Sequence, residues 1–100
     1  MGRWYESANE IYSGMMTADV TPRPLGTTYI CRKVKLYANP NSEAVVVAQG
    51  QPASSGFPIP QRQEDGSTDM LELEVNDINL VYVAATGIAG VAIIYWIAER

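Results

Sequence analysis

Leu80-Val81-Tyr82-Val83-Ala84-Ala85-Thr86-Gly87-Ile88-Ala89-Gly90-Val91-Ala92-Ile93-Ile94-Tyr95-Trp96-Ile97-Ala98 runs for nineteen residues without a charge. A helix of that length can span a bilayer, and Tyr82, Tyr95 and Trp96 sit near its ends, where an interfacial aromatic belt would place them. The interior argues otherwise. Thr86-Gly87-Ile88-Ala89-Gly90 reads as a turn, and the flanking runs Val81–Val83 and Val91–Ile97 are β-branched and aromatic, which suits strands. A spanning helix would also leave the alternating segments upstream without a core. The segment is read as two buried hairpin strands, with a small membrane protein anchored by residues 80–98 as the alternative.

Outward from this stretch the strand signals are regular. Met70-Leu71-Glu72-Leu73-Glu74-Val75 alternates, with Leu71, Leu73 and Val75 inward and the glutamates outward. Ala44-Val45-Val46-Val47-Ala48 is a short β-branched run, and Asn39-Pro40-Asn41-Ser42 before it is a turn cluster. Thr28 to Tyr37 alternates too, placing Ile30, Val34 and Leu36 on one face and Lys33 and Lys35 on the other. Gln49 to Asp69 is polar and broken by proline and glycine, so it holds extended pieces and no helix of normal length. At least five strands with regular turns predict an all-β fold, an antiparallel β-sandwich.

The first 28 residues differ in character. Ser7 and Glu10 fit a capping box, which permits a helical turn from about Ala8, and Pro22 and Pro24 then force an extended path. One reading is an ordinary first strand and loop. The other, adopted for the domain division, is an N-terminal arm or docking segment over residues 1–28 on a domain spanning 29–100. The arm's Trp4, Tyr5, Ile11 and Tyr12 are the candidate attachment residues, because apolar groups on an isolated arm need a surface to lie on.

One hundred residues make one domain. Charged residues are 18% of the chain, below the average of about 25%, which favours a partly covered surface. Net charge is −4, and from Glu43 onward eight acidic residues face two basic ones. An acidic body disfavours nucleic acid, whose phosphates require clustered Lys and Arg; Arg32-Lys33-Val34-Lys35 reads as a solvated or interface strand. Cys31 is the only cysteine and histidine is absent, which excludes an intrachain disulfide and His-assisted nucleophilic catalysis. No apolar run of signal-peptide length opens the chain, so synthesis in the cytoplasm is expected. Glu72 and Glu74 share a strand face as a solvated pair rather than a glycosidase pair. A calcium loop from Glu64, Asp65 and Asp69 lacks the expected ligand pattern. No enzyme, cofactor or metal is expected.

The order Leu36-Tyr37-Ala38-Asn39-Pro40, Val45-Val46-Val47, Ser54-Ser55-Gly56-Phe57-Pro58-Ile59, Leu71-Glu72-Leu73-Glu74-Val75 and Asp77-Ile78-Asn79-Leu80-Val81-Tyr82-Val83, closed by Val91 to Trp96, resembles small β-sandwich modules of tailed-bacteriophage virion proteins. These include capsid decoration (cement) proteins and domains of head fibres and tail components. The resemblance covers about Tyr29 to Glu99. It implies a jelly-roll-like fold, a structural role at the capsid surface, and the major capsid protein or another virion protein as partner. A carbohydrate- or receptor-binding module of a tail or fibre is the alternative, with Tyr29, Tyr37 and Trp96 as candidate aromatics. Phe57 is expected to plug one end of the sandwich. The strand from Val91 is apolar on both faces, and the Gln49 to Asp69 loop can cover only one surface. Val91, Ile93, Tyr95 and Ile97 are therefore expected at an oligomer interface, by analogy a trimer rather than a dimer.

Overall fold

The computed structural model describes residues 11–63, 66 and 69–100. The described residues are all-β and form eight strands in two four-stranded antiparallel sheets. The strands are β1 (Ile11–Ala18), β2 (Arg23–Pro24), β3 (Lys33–Ala38), β4 (Ala44–Val47), β5 (Phe57–Pro58), β6 (Leu71–Leu73), β7 (Tyr82–Ala85) and β8 (Ala92–Glu99). One sheet has the order β1-β8-β3-β6 and the other β2-β7-β4-β5. A single core joins them in a sandwich-like arrangement: Val34, Leu36, Ile94, Trp96 and Ala98 of the first sheet cluster with Ala44, Val83 and Ala85 of the second.

Residues 80–98 build strands of both sheets, not a helix, and among the described residues no helix is long and apolar enough to cross a membrane. The two strands do not form a hairpin, however. β7 lies between β2 and β4, β8 lies between β1 and β3, and the Thr86–Gly90 turn carries the chain from one sheet to the other. Separation into facing sheets gives each strand its own core-facing row, which a hairpin would have forced into a single layer.

Alternation holds on β3 and around β6. Val34 and Leu36 are fully buried, while Lys33, Lys35 and Tyr37 face outward. It fails at Ile30, which is 55% exposed. Ile30 bridges Asp77, the chain bends at Arg32, and Cys31 takes the inward place instead. The Cys31 thiol donates to the Val75 carbonyl at 3.3 Å, and burial, with a smaller contribution from the Asp77 charge, raises its pKa above the ordinary 9.0. The folded chain therefore holds this proton more tightly than the unfolded chain. The contribution of Cys31 to stability should be flat below pH 9.0 and fall above it, and a disulfide reagent should label Cys31 slowly until denaturant is added.

Asp77 ties the start of the domain to its last third. Its Oδ1 accepts from the Tyr29 amide at 3.0 Å and the Asn79 amide at 3.1 Å, capping the 3₁₀ turn Ile78–Leu80. Asp77→Ala leaves both donors unpaired and should cost about 1–2 kcal/mol in a denaturant titration. The predicted turn after β3 is present, with Asn41 in the left-handed region at φ 66°, a conformation that Asn tolerates well.

The segment Ile11–Ala18, placed in an arm by the sequence reading, is a strand paired along its whole length with β8, from Ile11 opposite Glu99 to Ala18 opposite Ala92. The doubly apolar β8 accounts for this: as a central strand it needs neighbours on both sides, and an uncharged segment supplies one. Residues 1–10, where the helical turn from Ala8 is expected to start, lie outside the described residues, whereas the rest of the expected arm is part of the sandwich: β2 pairs with β7 and Leu25 is buried in the core.

Candidate docking face

The two outward faces of the molecule differ. That of β2-β7-β4-β5 is covered by the chain itself: Val45, Val47 and Ala84 form a second small cluster, with Ala53 and Tyr82 packed on it. The loop lies so close that a Cβ on Gly56 would stand 2.5 Å from Val45 Cγ2. Hence the long loop supplies one cover, and it is spent on this sheet.

The outward face of β1-β8-β3-β6 has no such cover among the described residues. Opposed residues in antiparallel strands share a face, so the registers fix three cross-strand rows. Met15, Tyr95 and Tyr37 form the apolar row; Ser13, Ile97, Lys35 and Glu72 the mixed row; Ile11, Glu99 and Lys33 the charged row. Ile93 continues the apolar end opposite Thr17. The Tyr37 and Tyr95 rings stack at 5.3 Å and 26°. A shallow groove of about 460 Å³ runs between Met15, Lys35, Tyr37, Met70 and Tyr95.

Charges at the other end are matched internally. Glu72 meets Lys33 at 3.6 Å and Lys35 at 3.7 Å, and Glu99 meets Lys35 at 3.5 Å. Exposed pairs of this kind contribute little stability, about 0–1 kcal/mol each. Their chemical effect is to leave two ammonium groups balanced by two carboxylates, a border without net charge around an apolar field. Such a face suits an apolar or aromatic partner and offers no anion site.

The candidate residues separate on this framework. Ile93, Tyr95 and Ile97 lie half-buried on the open face, while Val91 is exposed just before β8. Ile11 belongs to the charged row, whereas Tyr12 faces the other way, with its ring 4.6 Å from Tyr29 and 5.3 Å from Trp96. Trp4 and Tyr5 lie outside the described residues. Of the proposed sugar-binding aromatics, Tyr29 is half-buried with the Arg100 guanidinium over its ring; Tyr37 lines the groove from the outward face, and Trp96 touches it only as a residue buried in the core. Phe57 does not plug the interior. It is 64% exposed on the short edge strand β5, and Ile59, two residues on, is the buried one. Met70 escaped the sequence reading, although the alternation through Leu71 places it outward beside Glu72.

Glu64 and Asp65 of the calcium alternative lie outside the described residues, and among the described ones no group of three or more acidic, cysteine or histidine side chains is placed to hold a metal. Compared with protein-family models and with curated proteins, the sequence shows no significant match.

Proposed function

We propose that this chain is a structural virion protein, a capsid decoration (cement) protein of a tailed bacteriophage that binds the outer capsid surface and stabilises the shell. The observation that carries the reading is the open outer face of β1, β8, β3 and β6, with its apolar row and internally balanced border. A domain this small buries a limited share of its surface, so an apolar sheet face left in water is best explained by a partner that covers it. The phage assignment rests on the motif order from Leu36 to Trp96. On this reading a jelly-roll-like β-sandwich stands on the shell, without enzymatic activity or cofactor, against the major capsid protein or another virion protein. Ile93, Tyr95 and Ile97 make the central contact, and Ile11 extends it. Many copies on one lattice reinforce one another, since each tethered contact raises the effective concentration of the next.

The test is co-sedimentation with capsids of the virus that encodes the chain. The unmodified protein should pellet with the particles, and Tyr95→Glu/Ile97→Glu should lose at least about tenfold in apparent affinity, the effect of ~1.4 kcal/mol, while still unfolding in one cooperative transition above the assay temperature. Failure of the unmodified protein to pellet would remove the capsid reading.

The stacked Tyr37 and Tyr95 beside the groove support a second reading, a carbohydrate- or receptor-binding module of a tail or fibre, because sugar rings pack on aromatic faces. A glycan array separates the two: signal that Tyr37→Ala abolishes favours the sugar.

A further inference from the structure

The two sheets have four edge strands, and three are blunted. β2 and β5 are two residues long and each contains a proline, which has no N–H to offer a new strand. β6 is three residues long, with Glu72 at its centre and Glu74 just beyond. β1 is different: eight residues, Ile11-Tyr12-Ser13-Gly14-Met15-Met16-Thr17-Ala18, with neither charge nor proline. It pairs with β8 on one side and with no strand on the other among the described residues. In an antiparallel ladder alternate residues direct their N–H and C=O groups to opposite sides, so half of the β1 backbone groups point away from β8. Natural edges of this length usually carry a lysine, a proline or a bulge that prevents further pairing. β1 has no lysine or proline, and its register against β8 is continuous. Three of the chain's exposed large apolar side chains, Ile11, Tyr12 and Met15, lie on this one strand.

We propose that β1 pairs antiparallel with β1 of a second copy, about a two-fold axis normal to the sheet, joining two four-stranded sheets into one of eight strands. Such an axis keeps each face of the sheet on its own side, which requires a register centred on a residue, and those centred on Gly14 or Met15 pair the most of the strand. In both, the outward row Ile11, Ser13, Met15 and Thr17 meets itself, as does the inward row Tyr12, Gly14, Met16 and Ala18. An isologous contact needs only a surface compatible with itself, and an uncharged strand meets its own copy without the penalty of like charges directly opposite. A foreign strand would need a charge pattern to select it, and β1 has none. The pairing brings Met16 or Ala18 of the second copy opposite Tyr12 and sets the two docking faces side by side as one platform. An isologous edge closes at two copies, not at the three that analogy with virion sandwiches suggests. The proposal is independent of the capsid reading, since it concerns the free protein in solution.

The full chain should sediment at about twice 10.9 kDa at tens of micromolar and dissociate on dilution, because a single strand edge is a small interface. Amide exchange on the unmodified chain should show residues 11–18 slowed roughly tenfold or more as concentration rises. Ser13→Lys/Met15→Lys and Ser13→Glu/Met15→Glu place like charges opposite in either register, so each should be monomeric with its fold retained; mixing them should restore the dimer. A monomer at every concentration, or a trimer, overturns the proposal. A dimer with unaffected β1 exchange also overturns it, assigning the contact to Tyr95 and Ile97 instead. Concentration-independent protection of β1 without a change in mass overturns it in favour of cover from the chain's own residues 1–10. Should the charged variants fail to fold, the exchange experiment decides alone.

Discussion

Ile94→Ala is expected to destabilise the protein by about 3–4 kcal/mol, whereas Ile93→Ala next to it should cost about 1 kcal/mol or less. The two side chains leave β8 on opposite faces. Ile94 is fully buried between the sheets, in the cluster that includes Val34, Leu36 and Val83. Removing its three outer carbons forfeits their burial and leaves a cavity that close-packed strands fill only in part. Ile93 lies on the open face opposite Thr17, so truncation there exposes little that was dry. With stability of a domain this size at about 5–15 kcal/mol, the first variant loses a large fraction of the total. With a urea m-value of ~1–1.5 kcal/mol/M, the midpoint should fall by about 2–4 M for Ile94→Ala and by about 1 M or less for Ile93→Ala. Equal losses would mean that the outward face of β8 is covered from within.

Gly14→Ala is the other large effect, and it should depend on Trp96. A Cβ at position 14 would stand 2.6 Å from Trp96 Cζ2 and 2.9 Å from Cε2, closer than carbon atoms approach. The indole cannot swing away, because it is packed in the core with Tyr12 against its edge. Overpacking of this kind costs about 1–3 kcal/mol, and the upper end is expected where the obstacle is a buried ring. Trp96→Phe shortens the ring on the side that faces Gly14. It also removes an indole N–H that is buried without a hydrogen-bond partner among the described residues, so its own cost should fall below the 3–5 kcal/mol typical of aromatic truncation to alanine. The double variant should therefore be more stable than the sum of the single changes predicts, by about 1 kcal/mol or more in a double-mutant cycle. Additive values would show that Gly14 is required for its backbone alone.

Local chemistry was enough for the period-two signals. Val34 and Leu36 inward against Lys33 and Lys35, Leu71 and Leu73 against Glu72, and the turn through Asn41 all follow from two-residue alternation and turn preferences. Each sits where the sequence placed it, because a half-buried strand has one way to face its core. The candidate face was legible only in outline. That β8 is apolar on both sides can be read from its residues; that its outer row joins Met15, Tyr37 and Met70 cannot, since those strands are brought together by pairings across most of the chain.

Tertiary structure decided the rest, wherever the sequence offered two equivalent apolar choices. In Phe57-Pro58-Ile59-Pro60 either large side chain could be the plug, and the path of the chain along β4 chose Ile59, whose amide donates to the Ala44 carbonyl at 3.0 Å. Between Ile30 and Cys31 the bend at Arg32 chose the cysteine. Val81–Val83 and Val91–Ile97 announced themselves as strands, but hydrophobicity does not say which sheet a strand joins; the need of β8 for two flanking strands separated it from β7. That same need turned Ile11–Ala18 from a supposed arm into an edge. Local alternation and turn preferences were enough to place the strands β3, β4, β6, β7 and β8 and the dry side of most of them, since both depend on neighbours two residues away. Partner, sheet and exposure of the remaining apolar groups depend on contacts between distant segments, whose energies no local pattern records.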